Sequence, residues 1–295
     1  MHADLERLGW TEEQWNRIVG TVTEEAQKAR VAAQALPVSG PEDPTVIAIP
    51  RFTLRNEPNT APPPLRRLFV NSDPLLYLTT IAVNVPLRAR EMADPNLIAA
   101  LGMFRRAANH IARIEDALVF YGRLQRDSPP PLGLGTMPEV FQVTGNGQVD
   151  GLFPLRGGLR WPSHKLKRPR DGAAIVNDII KVIGKLEASG QLGPFACVLD
   201  QQLFSRICDP NRNSMVLPRD RLLPFLQGPL LRSSVISKNY GVVVALSGTP
   251  VEIVVASDID VTYLQATLEP RYVFRISERI ALRVRERRAI VRLQP

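Results

Sequence analysis

The sequence predicts an α+β protein organised around one long helix. Apolar residues recur at spacings of three and four from Leu97 to Tyr121, which indicates a helix of about 27 residues, roughly 40 Å long. A second observation is the β-like stretch 45–83, which is interrupted by the proline-rich run RNEPNTAPPP. A third is the alternation of apolar residues near the C-terminus, at Tyr272, Phe274, Ile276, Ile280, Leu282 and Val284.

The composition is typical of a globular protein with an excess of basic residues. The 295 residues are 44% hydrophobic and 22% charged, a length and balance that suit about two domains. The net charge of +8 raises the question of nucleic-acid binding. Arginines in the last 25 residues mostly alternate with apolar residues, as on the solvated face of a sheet. A second basic cluster lies in Pro- and Gly-containing sequence and leaves phosphate binding open: Arg156, Arg160, Lys165, Lys167, Arg168 and Arg170.

Several features favour the reducing cytoplasm. The acidic N-terminus has no apolar segment of the signal-peptide type, and no apolar run approaches the roughly 18 residues of a membrane span. Cys197 and Cys208 form no C-x-x-C pair. We therefore expect a cytoplasmic protein with free cysteines and no membrane partner.

The first predicted element is an N-terminal amphipathic helix. Thr11 and Gln14 have the spacing of a capping box, and Trp10 and Trp15 that of a hydrophobic staple. The apolar stripe continues through Ile18, Val22, Ala26 and Ala29, and the helix ends near Pro37. The stripe either packs on the chain's own core or serves as a docking surface.

The stretch after this helix predicts a two-stranded arm. TVIAIPRFTL and LRRLFV flank the proline-rich run, and an isolated ribbon of this kind has little stability unless it lies on another surface. LLYLTTIAVNV (75–85) then has the composition of a buried strand.

The long helix is predicted to begin with Asp94 as its cap and Pro95 at its first position, and to end at Gly122. Glu115 and Asp116 stand in its last two turns. Adjacent helical residues point about 100° apart, so the two carboxylates cannot converge on one reacting atom. A structural role is favoured over a hydrolase that would use them for catalysis.

The second half of the chain predicts mixed structure. Residues 123–171 are rich in Pro and Gly, with a hairpin expected at Asn146-Gly147. Helices are expected at 173–186 and 201–207, and CDPNRNSMVLPRD is predicted to be a polar loop. Strands are expected at FACVL, LLRSSVI, YGVVVAL and VEIVVAS.

Motifs for catalysis are lacking in this sequence. The three histidines lie in unrelated contexts, there is no Cys/His cluster for a metal, and there is no P-loop or G-x-S-x-G. Cys197 lies in an apolar strand, which is typical of a core residue. These observations predict a structural building block with no metal and no cofactor.

In their order along the chain, these segments resemble an encapsulin shell protein of the linocin-type family. The resemblance rests on the capped helix, the β-arm, the long helix ending in IEDALVFYG, and the later segments LGPFACVLDQQLFSRI, ASDIDVTYL and YVFRISERIALRVRERRAIVRL. It implies the fold of the phage HK97 capsid protein, with a P-domain containing the long "spine" helix, an A-domain and an extended E-loop. The implied ranges are 1–44 (N-terminal helix and arm), 45–77 (E-loop), 78–171 (P-domain with spine helix 95–121 and the Pro/Gly-rich extension), 172–256 (A-domain) and 257–295 (return to the P-domain).

The resemblance also implies function. Such proteins self-assemble into icosahedral nanocompartments that enclose a cargo enzyme carrying a short targeting peptide, for example a ferritin-like protein or a dye-decolorising-type peroxidase, and exchange small solutes through pores. The stripe Trp15, Ile18, Val19 and Val22 would dock the cargo peptide. The loop 209–221 would line a pore, with Asp209, Arg212, Arg219 and Arg221 as its charged residues. The alternative is a phage-derived major capsid protein that packages nucleic acid.

Two departures from the family pattern bear on these implications. Ala33 and Pro37 stand where family members often carry Arg and Asp near the cargo pocket, so cargo recognition is expected to differ in detail. The segment VPLRAREMADP contains no tryptophan where some members hold a flavin, so we expect no flavin.

Overall fold

The computed structural model describes residues 9–43, 45–56, 68–122, 141–145, 151–153, 162–210, 216–266 and 271–295. These residues form two five-stranded sheets, a separate two-stranded ribbon, and helices that cover the sheets. The predicted α+β class is therefore confirmed. The hairpin expected at Asn146-Gly147 lies outside the described residues.

The first sheet has the strand order β1-β10-β11-β4-β5. Its strands are β1 (Val38–Ser39), β4 (Thr79–Arg88), β5 (Phe141–Thr144), β10 (Val251–Ala266) and β11 (Arg271–Val284). All neighbours are antiparallel except β1, which runs parallel to β10. The apolar alternation predicted near the C-terminus is that of β11, whose Phe274 and Ile276 are fully buried. One face of this sheet thus contributes to the larger core of the molecule.

The N-terminal helix α1 (Glu12–Ala29) lies against this core, as its pattern predicts. Thr11 Oγ1 accepts a hydrogen bond from the Gln14 N–H, and Gln14 Oε1 accepts one from the Thr11 N–H, so the capping box is confirmed. The ring of Trp10 stacks on Phe274 at 5.1 Å between centroids, and Trp15 lies 6.2 Å from the same ring. A short helix, α2 (Ala32–Ala35), follows directly.

The spine helix α4 (Ile98–Tyr121) begins three residues later than predicted. It follows α3 (Ala89–Met92) and a turn closed by the Leu97 N–H to Asp94 C=O hydrogen bond. Leu97 adopts the left-handed conformation (φ 55°), so Pro95 is not the first helical residue. The N-cap is therefore Leu97 rather than the predicted Asp94, although Asp94 Oδ2 accepts a hydrogen bond from the first helical N–H, that of Ile98, at 2.9 Å. Gly122 ends the helix as predicted.

The second sheet has the order β6-β12-β9-β7-β8. Its strands are β6 (Ser163–Lys165), β7 (Phe195–Asp200), β8 (Gln227–Ser233), β9 (Gly241–Ala245) and β12 (Ile290–Gln294). Helices α5 (Gly172–Ala188), α6 (Gln201–Cys208) and α7 (Pro218–Leu226) share a second buried cluster with this sheet. Helix α7 was not predicted; it begins with Pro218 at its first turn and contains Pro224.

The predicted module boundaries differ from the sheet membership. Residues 251–256, which were assigned to the A-domain, belong to β10 of the first sheet. Residues 290–294, assigned to the P-domain, form β12 in the second sheet beside β9, and Ser163–Lys165 joins that sheet as well. The period-2 pattern of these segments fits either sheet, so the pattern alone does not assign them.

Candidate assembly surfaces and the buried ion cluster

The predicted arm is a two-stranded ribbon, β2 (Ala48–Asn56) and β3 (Leu68–Tyr77). The strands are antiparallel, with Ala48 opposite Tyr77 and Asn56 opposite Leu68. Ile49 and Leu76, at the base, are buried against Val254, Ala256 and Ala281 of the first sheet. The ribbon is therefore attached to the subunit at its base.

The other face of the ribbon base is apolar and exposed. Leu75 is 58% exposed, Tyr77 38%, and the adjoining Ile47 62%. Because side chains alternate across a strand, Leu75 and Tyr77 lie on the face opposite the buried Leu76, while Ile47 precedes β2 at the base of the ribbon. Three large apolar side chains exposed at the base of the ribbon are more than the scattered single exposures of an ordinary monomer. We call these exposed side chains, Ile47, Leu75 and Tyr77, the ribbon patch.

The residues predicted to dock a cargo peptide lie inside the subunit. Ile18 and Val22 have exposures of 0% and 1%, and Trp15 is 8% exposed against the Phe274 ring. Val19 is partly buried on the same core. The prediction that Trp15, Ile18 and Val22 form a docking groove is therefore wrong, because the chain's own sheet and spine helix already cover these side chains.

A cleft that the sequence did not predict lies beside the C-terminal end of α1. Its volume is about 480 Å³, and it lies between α1–α2, the spine helix, α6 and β8. Val31, Phe204, Leu230 and Leu231 form its apolar part, and Lys28, Arg113, Asp116 and Arg232 are its charged lining residues. Its members come from four separated parts of the chain, so no local motif could have indicated it.

Asp116 binds the junction between α1 and α2. Its Oδ1 accepts from the Val31 N–H at 3.0 Å and from the Ala32 N–H at 2.7 Å. These are N–H groups at the start of α2, which its own helix cannot satisfy. Burial raises the pKa of Asp116 to about 8, although the two N–H donors act to lower it. Asp116 therefore has a structural role, as its position near the end of the spine helix predicts.

Glu115 points to a different group, the guanidinium of Arg30. Arg30 Nε lies 2.5 Å from Glu115 Oε2 and Nη1 3.1 Å from Asp258 Oδ1, while Nη2 donates to Glu278 Oε2. Burial raises the pKa of Glu115 to about 7 against the opposing effect of Arg30. Burial alone would lower the pKa of Arg30, but the surrounding carboxylates raise it above its ordinary value. We call Arg30, Glu115, Asp258 and Glu278 the Arg30 cluster.

The predicted pore loop is only partly a loop. Arg212 lies outside the described residues, whereas Arg219 and Arg221 are exposed on the first turn of α7. Arg219 Nε forms an ion pair with Asp220 Oδ1 at 3.3 Å, and its Nη1 lies 3.9 Å from Cys208 Sγ. Asp209, also exposed, is the C-cap of α6. Asp209, Arg219 and Arg221 therefore lie on either side of the segment 211–215 in the chain, and the contact of Arg219 with Cys208 brings the two sides close together.

Part of the second basic cluster lies in the described residues. Arg156 and Arg160 lie outside the described residues, but Lys165 belongs to β6, which pairs with β12. Lys165, Lys167 and Arg170 are exposed. This segment is thus partly sheet edge rather than a free loop.

Groups suited to catalysis are not assembled in the described ranges. No set of three or more His, Cys, Asp and Glu residues there is arranged to hold a metal ion. Cys197 is fully buried in β7, and burial raises the pKa of its thiol to about 12. Among the described helices, none has both the length and the apolar character to cross a membrane.

Comparison with known proteins gives a consistent family match. The family model Linocin_M18, described as an encapsulating protein for peroxidase, matches residues 6–129 and 139–281. The type 1 encapsulin shell protein EncA of Myxococcus xanthus is 24% identical over 296 residues, covering 96% of this chain and 93% of that protein.

Solved structures show the same fold. The virus-like particle protein from Pyrococcus furiosus superposes with a TM-score of 0.65 at 16% identity, covering 95% of this chain and 98% of the other. The capsid protein of Myoviridae phage XM1 gives a TM-score of 0.60 at 12% identity, covering 89% of this chain and 90% of the other.

Proposed function

Because this chain belongs to the encapsulin family of shell proteins, we propose that it self-assembles into a closed icosahedral nanocompartment that encloses a cargo enzyme in the cytoplasm. The family is one of structural shell proteins rather than enzymes, and the fold is that of HK97-type capsids. In this proposal the ribbon makes contacts between subunits, the two sheets form the wall, and pores exchange small solutes.

The observation that supports assembly most directly is the ribbon patch. Burying an apolar side chain of this size contributes about 1.5–3 kcal/mol, so a patch of three exposed side chains is a surface that a second copy would stabilise. The ribbon also exposes backbone donors and acceptors along its edges, which a neighbouring chain can cover. In an icosahedral shell each subunit offers the same patch, so one modest contact is repeated around the particle.

The patch is tested by Leu75→Ser, which removes an exposed apolar side chain without changing charge. The matched control is Leu192→Ser, because Leu192 is a leucine of similar exposure, 63%, in the loop after α5. We expect L75S to shift the sedimentation profile from particles to small species, while L192S sediments as the wild type. Normal particles from L75S would count against the patch as an assembly contact.

The proposed cargo is an enzyme with a short targeting peptide, and a peroxidase is the first candidate because the family description names one. A ferritin-like protein is the other candidate. Mass spectrometry of particles purified from the native cell identifies the content. We expect a peroxidase or a ferritin-like protein to be the most abundant protein after the shell protein, and particles without a protein guest would contradict the cargo assignment.

A capsid that packages nucleic acid is the second candidate, and it is favoured by the net charge of +8 and by the fold shared with a phage capsid. Nuclease-treated particles distinguish the two functions. A protein-like 260/280 nm absorbance ratio supports the nanocompartment, whereas protected nucleic acid supports the capsid.

We base the pore assignment on the charged residues of the segment 209–221. Arg212, Arg219 and Arg221 exceed Asp209 and Asp220 by three to two, an excess of one positive charge per subunit that rotational symmetry multiplies. A ring of cations favours the passage of anions. Replacing the three arginines with glutamate should slow the entry of anions into loaded particles. Unchanged entry rates for both anions and cations would contradict the proposal that this segment lines a pore.

A further inference from the structure

The Arg30 cluster contains more buried negative charge than positive charge. The side chains of Glu115 and Glu278 are 2% and 0% exposed, and they share one guanidinium that is itself only 12% exposed. Asp258, the third carboxylate on Arg30, is 68% exposed and reaches solvent. With every acid ionised, two buried carboxylates therefore depend on one cation that also serves a third.

No further cation compensates Glu278 within the described structure. The charged groups that face it are Arg30 from α1, Glu115 from the spine helix and Asp258 from β10. Its neighbour across β4 is the apolar Ile81. Its Oε1 is buried without a hydrogen-bond partner among the described residues. An ionised oxygen in that position has a large desolvation cost, whereas a protonated carboxyl removes the charge.

The cluster acts on one place in the fold, the junction of α1 and α2. Arg30 is the C-cap of α1, and the next two residues, Val31 and Ala32, donate their N–H groups to Asp116. The spine helix thus holds the junction twice, through Glu115 and through Asp116. The 480 Å³ cleft reaches Asp116 and Val31 from the surface, so water has a route to the junction.

We propose that the Arg30 cluster is a proton-dependent clamp that fixes the α1–α2 junction to the spine helix and to β11. With one proton on Glu115 or Glu278, the one buried carboxylate that stays ionised is matched by Arg30, Asp258 is solvated, and the junction is closed. Loss of that proton leaves uncompensated negative charge between α1, the spine helix and the sheet, and the junction opens into the cleft.

The direction of the pH response follows from Glu115 and Glu278. Asp116 at the same junction responds in the same direction, because burial raises its pKa to about 8. Burial raises the pKa of Glu278 well above its ordinary value and that of Glu115 from 4.5 to about 7. A folded-state pKa above the unfolded value means that the closed junction binds more protons than the open one. The stabilisation is therefore complete below about pH 4.5 and is lost as pH rises through about 7. The clamp weakens in alkali rather than in acid.

The test is amide hydrogen exchange of the full-length protein between pH 5.5 and 8.5, expressed as protection factors so that the chemical exchange rate is divided out. Loss of one proton on opening changes protection by up to about tenfold per pH unit. We expect the protection factors of the amides in the last turn of α1, and those of Val31 and Ala32, to fall about tenfold or more as the pH rises from 5.5 to 8.5. Amides of α5, which lies on the second sheet, should not change.

The matched variants are Glu278→Gln and Glu252→Gln. Glu252 is a buried carboxylate of the same sheet, but it has two arginines, Arg283 at 2.7 Å and Arg285 at 2.6 Å. E278Q should make the pH-dependent loss of protection at the junction clearly smaller than in the wild type, and the part that remains belongs to Asp116. E252Q should lose protection with rising pH as the wild type does. If E278Q does not fold, Glu115→Gln removes the same excess charge and is measured instead, with sedimentation used to compare all proteins in the same assembly state.

Two results would overturn the clamp. One is wild-type protection at Val31 and Ala32 that stays constant from pH 5.5 to 8.5. The other is a loss of the same size in E278Q, or in E115Q, as in the wild type. Both measurements are local to the subunit, so they are independent of whether the particle assembles.

Discussion

At the residue scale, Asp116 shows how a carboxylate near the end of a long helix can have a structural role. It is 2% exposed, and it satisfies two N–H groups that begin α2. Arg30 and Glu115 lie beside it, so one small region of the spine helix fixes the end of α1. The adjacent acids in the sequence are thus two separate anchors with different partners.

Asp116→Ala should destabilise the subunit. It removes the acceptor of two N–H groups, one of them fully buried at Ala32, and a buried donor left without a partner costs about 1–3 kcal/mol. We expect the free energy of unfolding in urea to fall by about 2 kcal/mol. Asp116→Asn is the control, because its amide oxygen still accepts a hydrogen bond, so D116N should lose less stability than D116A. Equal stability of D116A and the wild type would show that these hydrogen bonds contribute nothing net.

Two glycines of α5 provide a second residue-scale prediction with opposite signs. A Cβ on Gly172 would lie 2.1 Å from the Arg206 carbonyl oxygen, whereas a Cβ on Gly184 meets nothing within 4 Å. Gly172→Ala should therefore lower the unfolding midpoint by forcing α5 away from α6. Gly184→Ala should raise stability by about 0.5–1 kcal/mol, since alanine is the better helix former. A neutral G172A would mean that the two helices separate without cost.

At the element scale, local signals predicted the structure well. The capping box of α1, the bounds of α5 and the alternation along β11 are each determined within a few neighbouring residues. The start of the spine helix was misplaced because Leu97 takes a left-handed conformation, which no propensity favours for leucine. Helix α7 was missed because Pro224 in its interior argues against a helix.

Contacts between segments far apart in the chain could not be predicted from the sequence. Strand β12 joins β9 and β6 rather than the sheet of β11, although all of these segments alternate in the same way. The partners of Arg30 are similarly remote, since Glu278 lies 248 residues away along the chain. For α1, the sequence predicted the apolar stripe, but it did not show whether the stripe packs against the same chain or binds a partner. The structure assigns the cover to the same chain.

The ribbon is the element whose role extends beyond the subunit. Deleting residues 50–70 should abolish closed particles, because the contacts that are lost lie between subunits. The second sheet with α5 to α7 has its own buried cluster, so its circular-dichroism signal and protection from exchange should persist. Intact particles from the deletion variant would show that the ribbon is dispensable, contrary to its assignment as the E-loop.

At the scale of the whole molecule, the subunit has the properties of a wall component. The larger core runs from α1 and the spine helix through the first sheet to residues of the second, including Val198, Val242 and Ile290. The two sheets therefore share one buried core. Such a rigid subunit is suited to a wall in which each copy makes contacts at more than one edge. The base of the ribbon is buried against the first sheet, and the side chains of the ribbon patch are exposed.

The central claim, that this chain builds a closed shell, is tested most directly by the mass and shape of the purified particle. Size-exclusion chromatography with light scattering, followed by negative-stain electron microscopy, gives both at physiological salt. We expect megadalton particles that appear as uniform hollow spheres with icosahedral symmetry. A single species with the 32.8 kDa mass of the monomer, or twice that mass, would contradict it.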